Sequence, residues 1–393
     1  MNSSLKTKLL SAGVAAVAIV VAILLAEVAA RFLVDPADFL NVVPVQDKFL
    51  GHKIAPGAGG HDALGFRNRE LPKLVHTVAI GDSMTYGSGA PRDGAWPQQL
   101  AALGGDTVYN MGLGGYGPLQ YLHLAGGLAK EFKPRQLLVS FYFGNDFVDA
   151  YMAAQTLPHW LAWRESTAAG PAASAPVPDA AIVPQRRGAA VRNWLSRNSV
   201  LYGMLRTTVL EPFAAMEQKN LAGQMTADQR MSWFDPAAPA VMTVFTAHQR
   251  GSAQDQSQPS VREGMQITKR AFAAIKDEAD KQGVALMVVL IPTRERVYCP
   301  YLKTTGATLP VAYLKLCQFE EANKAELVQA LNAKGIPVVD STPALEAQVE
   351  RHVQIYPPTS DGHPTALGHK AIAESVLTAL KKRPANAAVS AAQ

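Results

Sequence analysis

Five short apolar runs punctuate this chain: Val78–Ile80, Thr107–Tyr109, Leu137–Phe143, Val284–Ile291 and Ile336–Val339. Four are rich in β-branched or aromatic residues and almost free of charge, the pattern of strands covered on both faces. Amphipathic stretches lie between them. Pro118–Phe132 places Leu119, Leu122 and Leu128 near one face. Val261–Gln282 is closed by Gly283, and Phe319–Lys334 by Gly335. Thr365–Lys382 carries a stripe of Leu367, Ala371, Ile372, Val376, Ala379 and Leu380. Alternating strands and helices predict an α/β domain around a central parallel sheet of about five strands.

The alternation fails between about residues 155 and 260, which reads as an insertion after the third strand. Within it, Thr167–Val183 is Ala/Pro-rich and linker-like. Asn193–Met216 has helical spacing at Leu201, Met204 and Leu205, and residues 250–260 are polar enough to expect a loose loop. Trp160, Trp163 and Trp233 offer either sugar-stacking surfaces or core packing. The predicted organisation is a hydrophobic segment over 1–34, an irregular lead-in over 35–75, the domain over 76–382 and a disordered tail over 383–393. With 393 residues, 48% of them hydrophobic, the chain can fill a large core.

Leu9 to Ala26 carries no charge. About eighteen such residues nearly cross a bilayer core as a helix, so a transmembrane anchor is expected. Lys6 and Lys8 precede it and favour a cytoplasmic amino terminus, with the rest of the chain outside the inner membrane. Glu27 and Arg31 can extend the helix as an i,i+4 pair. The alternative is a signal peptide cleaved near Val28-Ala29-Ala30, with secretion of the remainder. The net charge of +5 is small for this length, and no dense basic run is interleaved with aromatics, so nucleic acid is not an expected partner.

The chemistry concentrates where strands end. The first run leads into Gly81-Asp82-Ser83, and in an open parallel sheet ligands sit beyond the carboxyl ends of the strands. A serine there is placed as a nucleophile, but it needs a base and an oxyanion site. Asp361-Gly362-His363 can supply the base: an Asp accepting from one ring nitrogen fixes the tautomer and frees the other nitrogen for the serine. Taken alone, the pair also fits a turn before a helix with a solvated His. Asn110-Met111-Gly112-Leu113-Gly114-Gly115 follows the second run and can bring backbone N–H groups close to a ligand. Asn145 follows the third run, where its amide can donate to a developing oxyanion. Cys299 and Cys317 lack metal-site spacing and company. They can form a disulfide worth roughly 3 kcal/mol on the chain-entropy estimate, or stay as free thiols. No metal and no cofactor are expected.

Together, in this order, the four segments resemble the SGNH hydrolases, or GDSL esterase/lipase superfamily. The resemblance implies a three-layer flavodoxin-like sandwich. It makes Ser83 the nucleophile, His363 the base and Asp361 its orienting acid. The implied oxyanion donors are Ser83, Gly115 (with Gly112 the alternative) and Asn145. Many members place the acid three residues before the His, whereas here the interval is two and Ser360 takes the third position. The N-terminal helix, Leu64-Gly65-Phe66-Arg67 and Ile291-Pro292-Thr293 resemble a membrane-anchored bacterial subgroup. Arg294 is then a candidate substrate ligand, or a surface ion pair. Asp340 is expected to cap the next helix, and His369 to pack or lie on the surface. The implied function is an extracytoplasmic serine esterase acting on a small acyl ester, above all acetyl. Its partner would be an acyl ester or acylated envelope glycan. The alternatives are an O-acetyltransferase to a glycan and a non-catalytic glycan-binding or assembly protein on the same scaffold.

Overall fold

The computed structural model of the protein describes residues 3–164, 188–210 and 230–382. The expected linker Thr167–Val183 and the tail after Lys382 lie outside them. The chain forms two compact units. One comprises Met1–Val43, Gly57–Gly60 and Pro176–Gly223; the other comprises Pro44–Pro56, His61–Ala175 and Gln224–Gln393.

The second unit is built on a five-stranded sheet of β1 (Thr77–Gly81), β2 (Val108–Gly112), β3 (Gln136–Tyr142), β4 (Ala285–Ile291) and β5 (Val338–Asp340). Their spatial order is β2-β1-β3-β4-β5 and every pairing is parallel. This is the flavodoxin-like order, with its switch point between β1 and β3. Val78 sits between Tyr109 and Leu137 in the ladder. The alternation of side chains sends Ala79, Leu138, Met287 and Val289 to one face, where they share a core with Trp96, Leu100, Ile372 and Val376. Phe141 faces the other way and meets Phe147 of helix Asp146–Thr156 and Phe272 of helix Pro259–Gln282. Helices therefore cover both faces, which is why these strands tolerate uninterrupted apolar runs.

Several boundaries differ from the sequence reading. The helix expected at Phe319 begins at Val311, directly after Pro310, whose fixed φ suits a helix start. Pro118–Phe132 breaks at Gly127 into Pro118–Gly126 and Leu128–Glu131. Leu367, placed on the apolar stripe, is 53% exposed. Residues 250–260 are not loose: helix Ala247–Ser252 runs into them, and the buried Gln254 donates to Glu320 at 2.8 Å. Trp160 and Trp233 are buried, the latter packed with Phe245, Tyr298 and Tyr301, so neither offers a sugar-stacking face. The lead-in is also more ordered than expected. Pro44–Asp47 and Gly51–Ile54 form an antiparallel hairpin, and His61, Asp62, Arg67 and Asn68 are buried. Asp62 accepts from Tyr109 Oη at 2.6 Å, Asn68 Nδ2 at 2.9 Å and the N–H groups of Leu64 and Phe66. Cys299 and Cys317 are joined as a disulfide, with Cα atoms 6.6 Å apart.

The first unit contains helix α1 (Ser3–Leu33). Its stretch Thr7–Leu33 is long and apolar enough to cross a membrane, a test that a signal sequence also passes. Glu27 and Arg31 pair at 2.9 Å. The helix expected over Asn193–Met216 is, within the described residues, divided into Ala189–Asn198 and Val200–Leu205, the latter continuing as a π-helical turn over Arg206–Leu210. They part at Ser199, whose Oγ accepts from Tyr202 N.

Candidate active site

Strand β1 delivers Asp82 and Ser83 to the carboxyl edge of the sheet. Asp82 turns the chain there. Its Oδ1 accepts from Met84 N at 2.9 Å and so caps the short helix Ser83–Tyr86. Burial pushes the Asp82 carboxyl up to about 6, against the pull of the Met84 N–H and the charge of His363. The turn is braced from both sides. Asn110 Nδ2 donates to Thr85 O at 2.7 Å, and Arg67 donates to Gly87 O at 2.9 Å and Ala90 O at 3.1 Å.

The chain brings Asp361 and His363 to the same place from almost three hundred residues away. His363 Nε2 lies 2.8 Å from Ser83 Oγ, and His363 Nδ1 lies 2.5 Å from Asp361 Oδ1. A carboxylate only accepts, so Nδ1 carries the hydrogen and Nε2 is left to accept from the serine hydroxyl. The two-residue interval suffices because Asp361 Oδ1 also accepts from His363 N at 3.1 Å. Burial works to raise the Asp361 carboxyl, but the His363 hydrogen bonds and charge outweigh it and hold the group below the usual carboxylate range.

Arg294 does not reach for a substrate. It is 1% exposed. Its Nη1 donates to the carbonyls of Thr359 at 3.0 Å and Asp361 at 2.8 Å, and its Nη2 pairs with buried Glu295 at 3.2 Å. The sequence placed a cation correctly at a strand end, but carbonyls of the loop 359–361 and the Glu295 carboxylate engage its Nη1 and Nη2. Asp340 accepts from Thr342 N at 2.9 Å, as a helix-start residue should. His369 is fully buried and bonds Ser88 O at 3.2 Å; burial lowers its pKa to about 4.

The two glycine alternatives separate on geometry. A Cβ at Gly112 would lie 2.2 Å from Tyr86 N, so this glycine is required by close backbone packing. Gly115 adopts φ +79°, and its N–H donates to no group among the described residues. Its neighbour Gly114 packs on Ser83: a Cβ there would lie 3.6 Å from Ser83 Cβ. Asn145 sits at the start of helix Asp146–Thr156 and gives one amide hydrogen to Asp149 Oδ2.

Two acids in this region escaped the sequence reading. Asp146 accepts from Tyr142 N at 2.9 Å and Tyr121 Oη at 3.1 Å; burial and the charges of Asp82 and Asp149 push it well up. Burial raises Asp149 to about 7, opposed by the Asn145 hydrogen bond. Their acidic residue type was visible, but their burial was not. Among the described residues, no group of three or more His, Cys, Asp or Glu is placed to hold a metal ion.

Residues 245–393 match the family described as ALGX: SGNH hydrolase-like domain, acetyltransferase AlgX. The match to this SGNH hydrolase-like domain covers the carboxyl-terminal part of the chain. The matched stretch holds Asp361 and His363, while Ser83, Gly115 and Asn145 precede it. No curated protein sequence matches the chain. Solved structures similar to it include a GDSL-like lipase from Bacteroides thetaiotaomicron, at 11% identity and TM-score 0.34, covering 79% of this chain and 92% of that one. Another is a carbohydrate esterase family 2 enzyme with a carbohydrate-binding domain from Corynascus thermopiles, at 11% identity and TM-score 0.35, covering 84% and 68%.

Proposed function

We propose that the protein is an ester-acting serine hydrolase or acyltransferase with Ser83 as nucleophile, His363 as base and Asp361 as orienting acid. The observation that carries this reading is the 2.8 Å approach of His363 Nε2 to Ser83 Oγ, with Nδ1 held by Asp361. As Ser83 Oγ bonds to the ester carbonyl carbon, its proton passes to His363 Nε2. The oxyanion is received by the N–H groups of Ser83 and Gly115 and the Asn145 amide. When the C–O bond breaks, His363 returns the proton to the leaving alcohol and an acyl-Ser83 remains. Water or a sugar hydroxyl then attacks it, with His363 again taking the proton.

The acyl group we infer is small, acetyl above all, and its carrier an envelope glycan. The matched family's description as an acetyltransferase favours transfer over hydrolysis. The expected result is acetate release from an activated acetyl ester by the unmodified protein and none by Ser83→Ala. Equal rates in the two would refute nucleophilic catalysis by Ser83. Glycan retention without any turnover would instead support the binding-protein alternative. Acetyl donor plus oligosaccharide, analysed for acetylated product, separates transfer from hydrolysis.

We further infer that α1 is retained as a single-pass inner-membrane anchor, with the domain on the outer side. Glu27 accepts from Ser199 Oγ at 2.8 Å, Val200 N at 2.9 Å and Leu201 N at 3.0 Å, while Arg31 donates to Asn198 O at 2.5 Å. Cleavage after Ala30 would strip Glu27 from the helix start that it caps. N-terminal sequencing of the membrane fraction should find the helix intact. A mature chain beginning at residue 31 in the soluble fraction would contradict retention.

A further inference from the structure

The hairpin Pro44–Asp47/Gly51–Ile54 carries a side chain that the proposed reaction has not used. His52 Nε2 lies 2.9 Å from Gly114 O. A carbonyl can only accept, so this nitrogen holds a hydrogen and donates it. The Gly114 carbonyl and the Gly115 N–H belong to one peptide unit. In a trans peptide the two point in opposite directions. The His52 bond therefore fixes which way the Gly115 N–H faces, and it polarises that N–H, because hydrogen-bonded amides strengthen one another.

The ring is itself held in place. Tyr116 Oη donates to His52 O at 2.8 Å, and the two rings pack with centroids 5.4 Å apart. Asp47 closes the hairpin by accepting from Phe49 N at 2.9 Å and Leu50 N at 3.0 Å. A Cβ at Gly115 would lie 3.3 Å from His52 Cε1, so the imidazole lies directly against this glycine. The left-handed Gly115 has no side chain to set its orientation, and His52 supplies the constraint from outside.

We infer that His52 is a positioning residue for the oxyanion site, acting through the Gly114–Gly115 peptide; this rests on the serine-hydrolase reading above. Its contribution is made to the charge of the transition state and not to the substrate ground state, so it belongs in kcat and not in KM. Loss of a whole oxyanion donor costs about 10²–10³ in turnover, and weakening one should cost about tenfold.

The test uses the full-length protein in detergent, with an activated acetyl ester, and rates normalised to the number of sites that react with a fluorophosphonate. His52→Phe keeps a ring against Tyr116 and removes the donor. His52→Asn keeps polarity, but its amide is too short to reach Gly114 O. His52→Gln restores a donor at the reach of Nε2. The inference expects kcat about tenfold lower in His52→Phe and His52→Asn with KM unchanged, and recovery to within about threefold in His52→Gln. Affinity for a boronic acid, which mimics the tetrahedral state, should fall in step with kcat. Wild-type kcat in a folded His52→Phe or His52→Asn protein would overturn the inference while leaving the hydrolase reading intact, as would a loss that His52→Gln shares equally. Turnover that does not depend on Ser83 in the unmodified protein would overturn both.

Discussion

The Ser83 turn and the loop of Asp361 and His363 meet at one hydrogen bond, yet they are secured in different ways. The turn at Ser83 is braced by Asp82, by Asn110 from β2 and by Arg67 from the lead-in, and Arg67 and Asn68 lie in a buried segment that Asp62 ties to Tyr109. The loop 359–363 is held chiefly by one guanidinium: Arg294 donates to three of its carbonyls and is paired to Glu295. Asp361 itself is 47% exposed along its side chain. One half of the site is held by distributed contacts; the other concentrates its support in a buried ion pair.

That contrast can be broken by substitution. Arg294→Met should have the largest effect. It strands Glu295 as an unpaired buried charge and frees the acid loop, costing about 3–5 kcal/mol. Denaturant melts measure this, and a cost under about 1 kcal/mol would remove the contrast. The disulfide comes next. Cys299 lies on the helix Arg294–Thr304 that begins with Arg294. Reduction, or the double change Cys299→Ser with Cys317→Ser, should cost about 3 kcal/mol. Hydrogen exchange should then quicken in the acid loop before the Ser83 turn; equal quickening in both would contradict the account. Arg67→Met should cost less than Arg294→Met, about 1–3 kcal/mol for carbonyls left unsatisfied, because Asn110 and Asp82 still hold the turn.

A further effect is on the pH dependence of stability. Burial pushes Asp149 up to about 7 in the folded protein, against about 3.9 in an unfolded chain. Between those values the folded state binds more protons, so unfolding free energy falls as pH rises from about 4 to 7. Asp149→Asn should flatten that slope. An unchanged slope in urea melts across this window would show that the carboxyl is not raised.

Much of this was legible in the chain. All five strands of the parallel sheet overlap the apolar runs, since a strand covered on both faces has few other ways to be written. The location of the candidate site was legible for a related reason: ligands of a parallel sheet sit where strands end, and Ser83, Gly115 and Asn145 follow strand ends. Direction was not legible. Arg294 looked like a ligand because a cation follows β4, but nothing local says that it turns inward to carbonyls more than sixty residues away. Asp62 and Asn68 read as loop residues because the partner that buries them, Tyr109, lies 47 positions from Asp62. The helix at Val311 was read late because its first turns look mixed, although Tyr313 and Leu316 are fully buried.

The central claim is that Ser83 is an activated nucleophile, and covalent capture tests it most directly. Native membranes treated with a tagged fluorophosphonate, followed by peptide mapping, should place the label on Ser83, with labelling lost in His363→Ala. An unlabelled chain, or a label on any other serine, would contradict the account.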